Sequence, residues 1–269
     1  MAVITLLTDF GFDDAYVGIM KGVILSKAPS ARIVDISHRV LPHNLLQAAF
    51  LLDSAYAYFP KGTVHTVVVD PGVGGNRAII AVEAAGFFFL APNNGVLTPV
   101  LNKVTVSNAM LVENHALFLE PVSRTFHGRD IFAPIAAYLS EGGNIRLLGP
   151  CIAPAEAVRL EIPEPVLFET GELIGTIIDM DRFGNLITNI SKEHLKTHFP
   201  KMHSQIFIRI GKTNIAGLSK SYSDVSTGYP LAVIGSRGYL EISINCGSAK
   251  DFFSVTIGEH IAAHMAHNL

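Results

Sequence analysis

Within the first seventy residues, three apolar, β-branched-rich runs alternate with two helix-patterned stretches, and this alternation limits the fold more than any other feature of the chain. "VITLLT", "RIVDIS" and "VHTVVV" read as strands, the first with the continuous apolar character of a strand buried on both faces. "DDAYVGIMKGVILSKAP" places Tyr16, Ile19, Met20, Val23 and Ile24 at helical spacing, with acidic residues at its start and a proline after its end. "NLLQAAFLLDSAYAYF" is the second helix. Strand, helix, strand, helix, strand requires a parallel sheet with right-handed crossovers.

Downstream, "AIIAVEAA" and "FFFLAP" read as strands joined by a turn at Gly86, and "HGRDIFAPIAAYLSEG" as a helix with Pro134 near its first turn or kinking it. From about Glu172 the pattern changes to short strands and turns: "IGTIIDM", "NLITNI", "QIFIRIG", "PLAVIG", "LEISIN" and "FFSVTIG". That spacing predicts a compact antiparallel barrel or sandwich. The stretch "APAEAVRLEIPEPVL" between the halves carries three prolines and reads as a linker. The expected organisation is an N-terminal parallel-sheet α/β domain over 1–164 and a C-terminal antiparallel β-barrel domain over 165–269.

Composition narrows the partners. Charged residues make up 16% of the 269, the formal net charge is −3, and the basic residues are scattered, so neither nucleic acid nor an anionic membrane is the expected partner. The N-terminus "MAVITLLTDFG" has no basic n-region and reads as a first strand, so a cytoplasmic location is the expectation. Cys151 and Cys246 form neither a disulfide framework nor a zinc spacing and are expected as buried thiols. Eleven histidines include no HxH or HExxH pattern, so no metal site is expected, and "HIAAHMAH" (His260, His264, His267) reads as a surface helix.

In a parallel α/β sheet, ligands gather at the carboxyl ends of the strands, and three polar clusters fall at such ends or in the loops that follow them. In "TDFGFDD", Asp9 can accept hydrogen bonds from neighbouring hydroxyls, as on a ribose, or it can cap the next helix as Asp13 can. In "VVVDPGVGGNRA", Asp70 and Arg77 face each other across a glycine-rich loop. They can meet if their strands are antiparallel neighbours, either as a site or as an ordinary turn-closing ion pair. The loop has no GxxxxGK[ST] and leads into a strand, so a phosphate cradle is not expected. In "TFHGRD", His127 stands before a helix with Phe126 beside it, open to structural or catalytic use. In the second half, Ser236 and Arg237 can hold a carboxylate or simply belong to the turn at Gly235 and Gly238.

Taken in order, "TDFGFDD", "DPGVGGNR", "APNNGVLT", "TFHGRD", "DRFGNLITN" and "SRGYL" resemble the S-adenosylmethionine hydroxide adenosyltransferases, relatives of fluorinase and chlorinase, over nearly the whole chain. The resemblance implies hydrolysis of S-adenosyl-L-methionine to adenosine and methionine with no separate cofactor, by a homotrimer whose sites lie between subunits. It places a water-handling triad on Asp70, Arg77 and His127, and the ribose-binding aspartate on Asp9. Methionine contacts fall on Asp181, Ser236 and Arg237, with Asp179 as an alternative to Asp181. Adenine-side contacts fall on Asn185 and Cys246, and Phe126 is an apolar wall. Gly128 stands where the fluorinase pattern has a halide-contacting serine, which speaks against halide chemistry. The rival classes are a non-catalytic S-adenosylmethionine or nucleoside sensor and a metal-dependent hydrolase.

Overall fold

A computed structural model describes residues 3–199 and 206–265 of the chain. The chain divides into two compact units, one ending at Glu161 and the other beginning at Ile162.

The first unit runs β1 (Val3–Thr8), α1 (Tyr16–Lys27), β2 (Arg32–Ser37), α2 (Leu45–Ala55), β3 (Val64–Val68), β4 (Ile79–Ala84) and β5 (Phe87–Pro92). It continues with α3 (Thr98–Leu101), β6 (Val106–Leu111) and α4 (Ala133–Ser140). Its six strands form one sheet in the order β2-β1-β3-β5-β4-β6. β1, β2, β3 and β5 are parallel, while β4 runs antiparallel to both its neighbours. Alternate residues of each strand feed two cores. Ile4, Leu6, Val64 and Val68 pack with Met20 and Ile24 of α1 and with Ile135 and Leu139 of α4. Leu7, Val67 and Val69 pack on the opposite face with Ala48, Ala49 and Leu52 of α2 and Val100 of α3. Helices on both faces explain the burial of β1 and β3 along almost their whole length.

Two details differ from the sequence reading. The buried stripe of α1 is Val17, Met20 and Ile24, whereas Tyr16 and Ile19 are exposed. The helix turns its narrow side to α4 and the sheet, which its apolar spacing alone did not specify. β3 and β4 are also not neighbours, because β5 lies between them. Asp70 and Arg77 therefore do not meet as a cross-strand pair.

The second unit runs β7 (Val166–Leu167), β8 (Leu173–Met180), β9 (Leu186–Ser191), α5 (Lys192–His198), β10 (Ile206–Ile210) and β11 (Thr213–Ala216). It ends with β12 (Pro230–Ile234), β13 (Tyr239–Ile244), α6 (Ala249–Phe253) and β14 (His260–Met265). The strands follow the order β11-β10-β14-β8-β9-β13-β12, with β7 beside β8. Every one of these pairings is antiparallel. A bridge between Ser219 and Val233 brings the chain after β11 to the other edge, nearly closing the barrel around Ile177, Leu186, Ile208, Leu240, Ile242 and Ile261. This is the α/β-plus-barrel fold expected from the sequence.

At the C-terminal end two elements are exchanged relative to expectation. "FFSVTIG" is not a strand: Ser248 accepts the Asp251 N–H and starts α6, and Ser254, at φ 54°, ends it in the left-handed region. "HIAAHM" is not a helix but β14, paired with β8 and β10, with Ile261 and Ala263 in the barrel core. His267 lies outside the described residues. Cys151 and Cys246 are both exposed, not buried. Cys151 sits in an isolated bridge with Met110, and Cys246 occupies a turn at φ 57°. Among the described residues no helix is long and apolar enough to cross a membrane.

Candidate functional site

The opening loop carries a closed set of charged contacts. Asp70 follows the end of β3, and its side chain is only 5% exposed. Arg77, at the far end of the loop, donates from Nε to both Asp70 carboxylate oxygens at 2.9 and 2.8 Å and from Nη2 to Oδ2. The same Nη2 lies 2.7 Å from His127 Nδ1. A guanidinium has no acceptor, so Nδ1 must be the acceptor and the neutral ring carries its proton on Nε2. Burial and the Arg77 charge push the His127 pKa down, against the opposing pull of Asp70, Asp130 and a hydrogen bond to the Ser123 backbone. His127 is therefore neutral near pH 7.

The loop reaches this arrangement through Gly74. At φ 75°, a Cβ there would fall 2.0 Å from the Arg124 carbonyl oxygen, so only glycine lets the loop lie against the segment that carries His127. That segment enters a π-helical turn at Gly128–Phe132. Pro134 has no N–H to give the Asp130 carbonyl, which accepts instead from the Leu119 N–H at 2.8 Å. The fully buried Asp130 carboxylate accepts from the Ser123 N–H at 2.8 Å and from Arg129 Nε at 2.6 Å, holding the approach to His127.

Asp9 follows β1. Its Oδ2 accepts the His43 N–H at 2.9 Å, with His43 in the left-handed region at φ 65°. Neither Asp9 nor Asp13 caps α1, whose N-cap is Ala15 without a side-chain bond. Gly11, also at positive φ, donates its N–H to the His38 carbonyl, and buried His38 bonds Thr8 through Nδ1 at 2.8 Å. The chain exit that aims Asp9 is thereby clamped.

Asp9, Asp70 and His127 line one cavity of about 310 Å³, walled by Phe10, Tyr16 and Phe126. The Phe126 ring meets Tyr16 edge-on at 5.0 Å and Phe10 at 6.0 Å. Arg77 stands behind Asp70 and His127 rather than on the wall. Gly128 is tightly enclosed: a Cβ would come within 3.1 Å of Met20 Sδ and Phe126 Cε2. The structure thus gathers Asp70, Arg77, His127, Asp9 and Phe126. His43, Tyr16 and the Thr8–His38 pair escaped the sequence reading, since isolated residues of these types carry no positional signal.

In the second unit the candidates form smaller groups. Arg237 Nη1 donates to Asp179 Oδ2 at 2.7 Å, and Asp179 is buried. Asp181 Oδ1 accepts the N–H groups of Phe183 and Asn185 at 2.9 Å each, and Oδ2 accepts Asn185 Nδ2 at 2.8 Å. Asp179 and Asp181 therefore hold different partners. Ser236 is exposed on the β12–β13 hairpin, and Cys246 on the turn after β13. Glu241, unnoticed in the sequence, lies beneath that hairpin. It accepts Tyr222 Oη at 2.6 Å, and a Cβ on Gly235 would fall 2.4 Å from its Oε2. Burial and this carboxylate raise the Tyr222 pKa. Among the described residues no group of three or more His, Cys, Asp or Glu is placed to hold a metal ion.

The fold joins an α/β unit, whose polar cluster lies beside the carboxyl ends of its parallel strands where such sheets bind ligands, to a barrel as the second unit. Residues 4–149 match the SAM hydroxide adenosyltransferase N-terminal domain and residues 175–262 match its C-terminal domain, so the chain belongs to that family. An (R)-S-adenosyl-L-methionine hydrolase from Thermus thermophilus is 35% identical over 266 residues, covering 96% of this chain and 98% of the relative. A fluorinase from Actinoplanes sp. is 29% identical over 270 residues, covering 90% and 91%. A crystal structure described as an uncharacterized conserved protein from Thermotoga maritima superposes with a TM-score of 0.90 at 38% identity, covering 97% and 99%.

Proposed function

We propose that this chain hydrolyses S-adenosyl-L-methionine to adenosine and L-methionine, by attack of water on the ribose C5′. The observation that carries this reading is the Asp70–Arg77–His127 set at a cavity that also presents Asp9, in a chain of this family. No cofactor beyond the substrate enters the scheme. The water oxygen bonds to C5′ as the C5′–sulfur bond breaks, and the bonding pair leaves with sulfur to give a neutral thioether. The leaving group needs no acid, so the protein has to aim the water, exclude other solvent and take one proton.

Asp70 is the proton acceptor in this scheme. It is a carboxylate on the cavity wall, while His127 spends Nδ1 on Arg77. His127 and Asp70 between them fix the guanidinium, whose charge favours hydroxide character on the oxygen. Hydroxide and sulfonium neutralise each other in the transition state, so the apolar wall of Phe126, Phe10 and Tyr16 favours reaction. Asp9 accepts the ribose hydroxyls. In the second unit, Arg237 and Ser236 hold the methionine carboxylate with Asp179 orienting the arginine. Asp181 serves the methionine ammonium, and Asn185 and Cys246 the adenine side.

In the proposed assembly the chain is a cytoplasmic homotrimer, and each site combines a first unit with a neighbour's second unit. Enclosure of Gly128 by Met20 and Phe126 supports water over halide as nucleophile. The test is to run the reaction in heavy-oxygen water with chloride and fluoride present. Adenosine carrying the label at its 5′ oxygen is expected; unlabelled adenosine, or a halogenated nucleoside, would overturn the proposal.

A further inference from the structure

β5, the strand that separates Asp70 from Arg77, is followed at once by the pair Asn93–Asn94, which has no part in the chemistry described so far. Because β5 stands between β3 and β4, the two residues leave the sheet from strands roughly 9–10 Å apart. No direct ladder joins those strands. Two bonds from the asparagine pair span the gap instead. The Asn93 N–H donates to the carbonyl of Ala78, the residue after Arg77, at 2.9 Å. Asn94 Nδ2 donates to the carbonyl of Val69, the residue before Asp70, also at 2.9 Å. Asn94 Oδ1 accepts the Val96 N–H at 3.2 Å, which turns the amide so that its NH₂ faces Val69.

The pair is itself anchored. Asn93 Oδ1 accepts the Val158 N–H at 2.8 Å, and Gly95, at φ 92°, backs onto residues 159–160 so closely that a Cβ would lie 2.7 Å from the Leu160 nitrogen. Both rims of the 70–77 loop are thus tied to one fixed point.

We propose that Asn94 is a positioning residue for the hydrolysis. By holding the Val69 carbonyl it sets where Asp70 stands relative to Arg77, so that one guanidinium can reach both the Asp70 carboxylate and His127 Nδ1. Arginine and aspartate alone would pair in many geometries. Contact with His127 at the same time requires the right separation of the loop ends. Asparagine suits the task because its two ends differ: the oxygen takes the Val96 N–H, and the nitrogen reaches Val69. This inference rests on the proposed reaction.

Two variants test it. Asn94→Ser keeps an oxygen for the Val96 N–H and loses the amide that reaches Val69, whereas Asn94→Ala loses both. Both variants should lower kcat by roughly tenfold to a hundredfold, the range expected for an ångström-scale misplacement of the catalytic groups. KM should stay within about threefold, because substrate contacts are untouched. The acid limb of kcat should move to higher pH, as His127 escapes the field of Arg77. An undiminished kcat in Asn94→Ser overturns the inference, including the case in which Asn94→Ala alone is impaired, since that assigns the residue to its turn. Loss of kcat with the acid limb unmoved, or a loss confined to KM, overturns it too. A wild-type protein that releases no adenosine would strike the reaction instead. The His127 titration, followed by NMR in wild type and Asn94→Ser, would then decide the positioning role: a rise supports it and no change overturns it.

Discussion

Asp70 and Arg77 are largely enclosed beside a cavity and locked to each other, and Arg77 also to His127, fifty residues further along the chain. In the barrel, Ser236 and Cys246 stand exposed on turns, and Asp181 pairs with Asn185 only four residues away. Under the proposed reaction, the difference follows from what each unit has to do. Aiming a water and withdrawing its proton depends on charges already in place in a dry setting, where rearrangement during reaction would be costly. Holding the ends of a flexible substrate can be left to turns that become buried when the substrate arrives. The Arg237–Asp179 pair is intermediate, a partly exposed guanidinium on a buried carboxylate.

The largest effect is expected at the first centre. Arg77→Ala leaves the Asp70 carboxylate without its cation and should cut turnover by about 10³-fold, with substrate affinity much less changed. Single-turnover kinetics beside calorimetric titration separate the two quantities; equal losses in both would erase the distinction between the centres.

A smaller and different effect is expected in the barrel. Arg237→Ala should weaken substrate binding by about ten- to a hundredfold, the worth of a charge-assisted hydrogen bond, and leave kcat nearly intact at saturation. If the two centres come from different subunits, co-refolding Arg237→Ala with Asp70→Asn should give hybrid trimers more active at low substrate than either parent. Proven hybrids with no gain would place both centres in one chain.

The smallest effect sharpens the first centre. His127 titrates below the ordinary histidine value of 6.5, so it binds its proton more weakly in the folded protein and stays neutral as pH falls through 6.5. Its acceptor role toward Arg77 is lost only at lower pH. kcat/KM measured from pH 8 to 5 should therefore show its acid limb below 6.5, and a limb centred at or above 6.5 would break the assignment of a neutral, Arg77-bound imidazole.

Much of this molecule could be read without coordinates. The order of strands and helices up to β5 follows from periods of 2 and 3.6 residues, which are local properties of the chain. Asp9 and Asp70 are legible because polar and glycine residues interrupt apolar runs at strand ends, where α/β sheets bind ligands, and His127 because it stands in a polar stretch just before a helix. The C-terminal end was not legible in this way. "FFSVTIG" and "HIAAHM" are both short and apolar, and only pairing with β8 and β10 makes the second a strand. Likewise the exposure of Cys246, the burial of Glu241 and the inward face of α1 depend on what packs around them.

The sequence by itself determined the two-part architecture and the chemical types available at the strand ends. Tertiary structure alone decided how those types are assembled: β5 inserted between β3 and β4, Asn93 and Asn94 gripping both rims of the loop, and Gly74 against Arg124. The physical reason is range. A periodic pattern reports whether a residue faces in or out, but which strand lies beside which is chosen by pairings between distant segments, each of which must offset the entropy of closing a long loop.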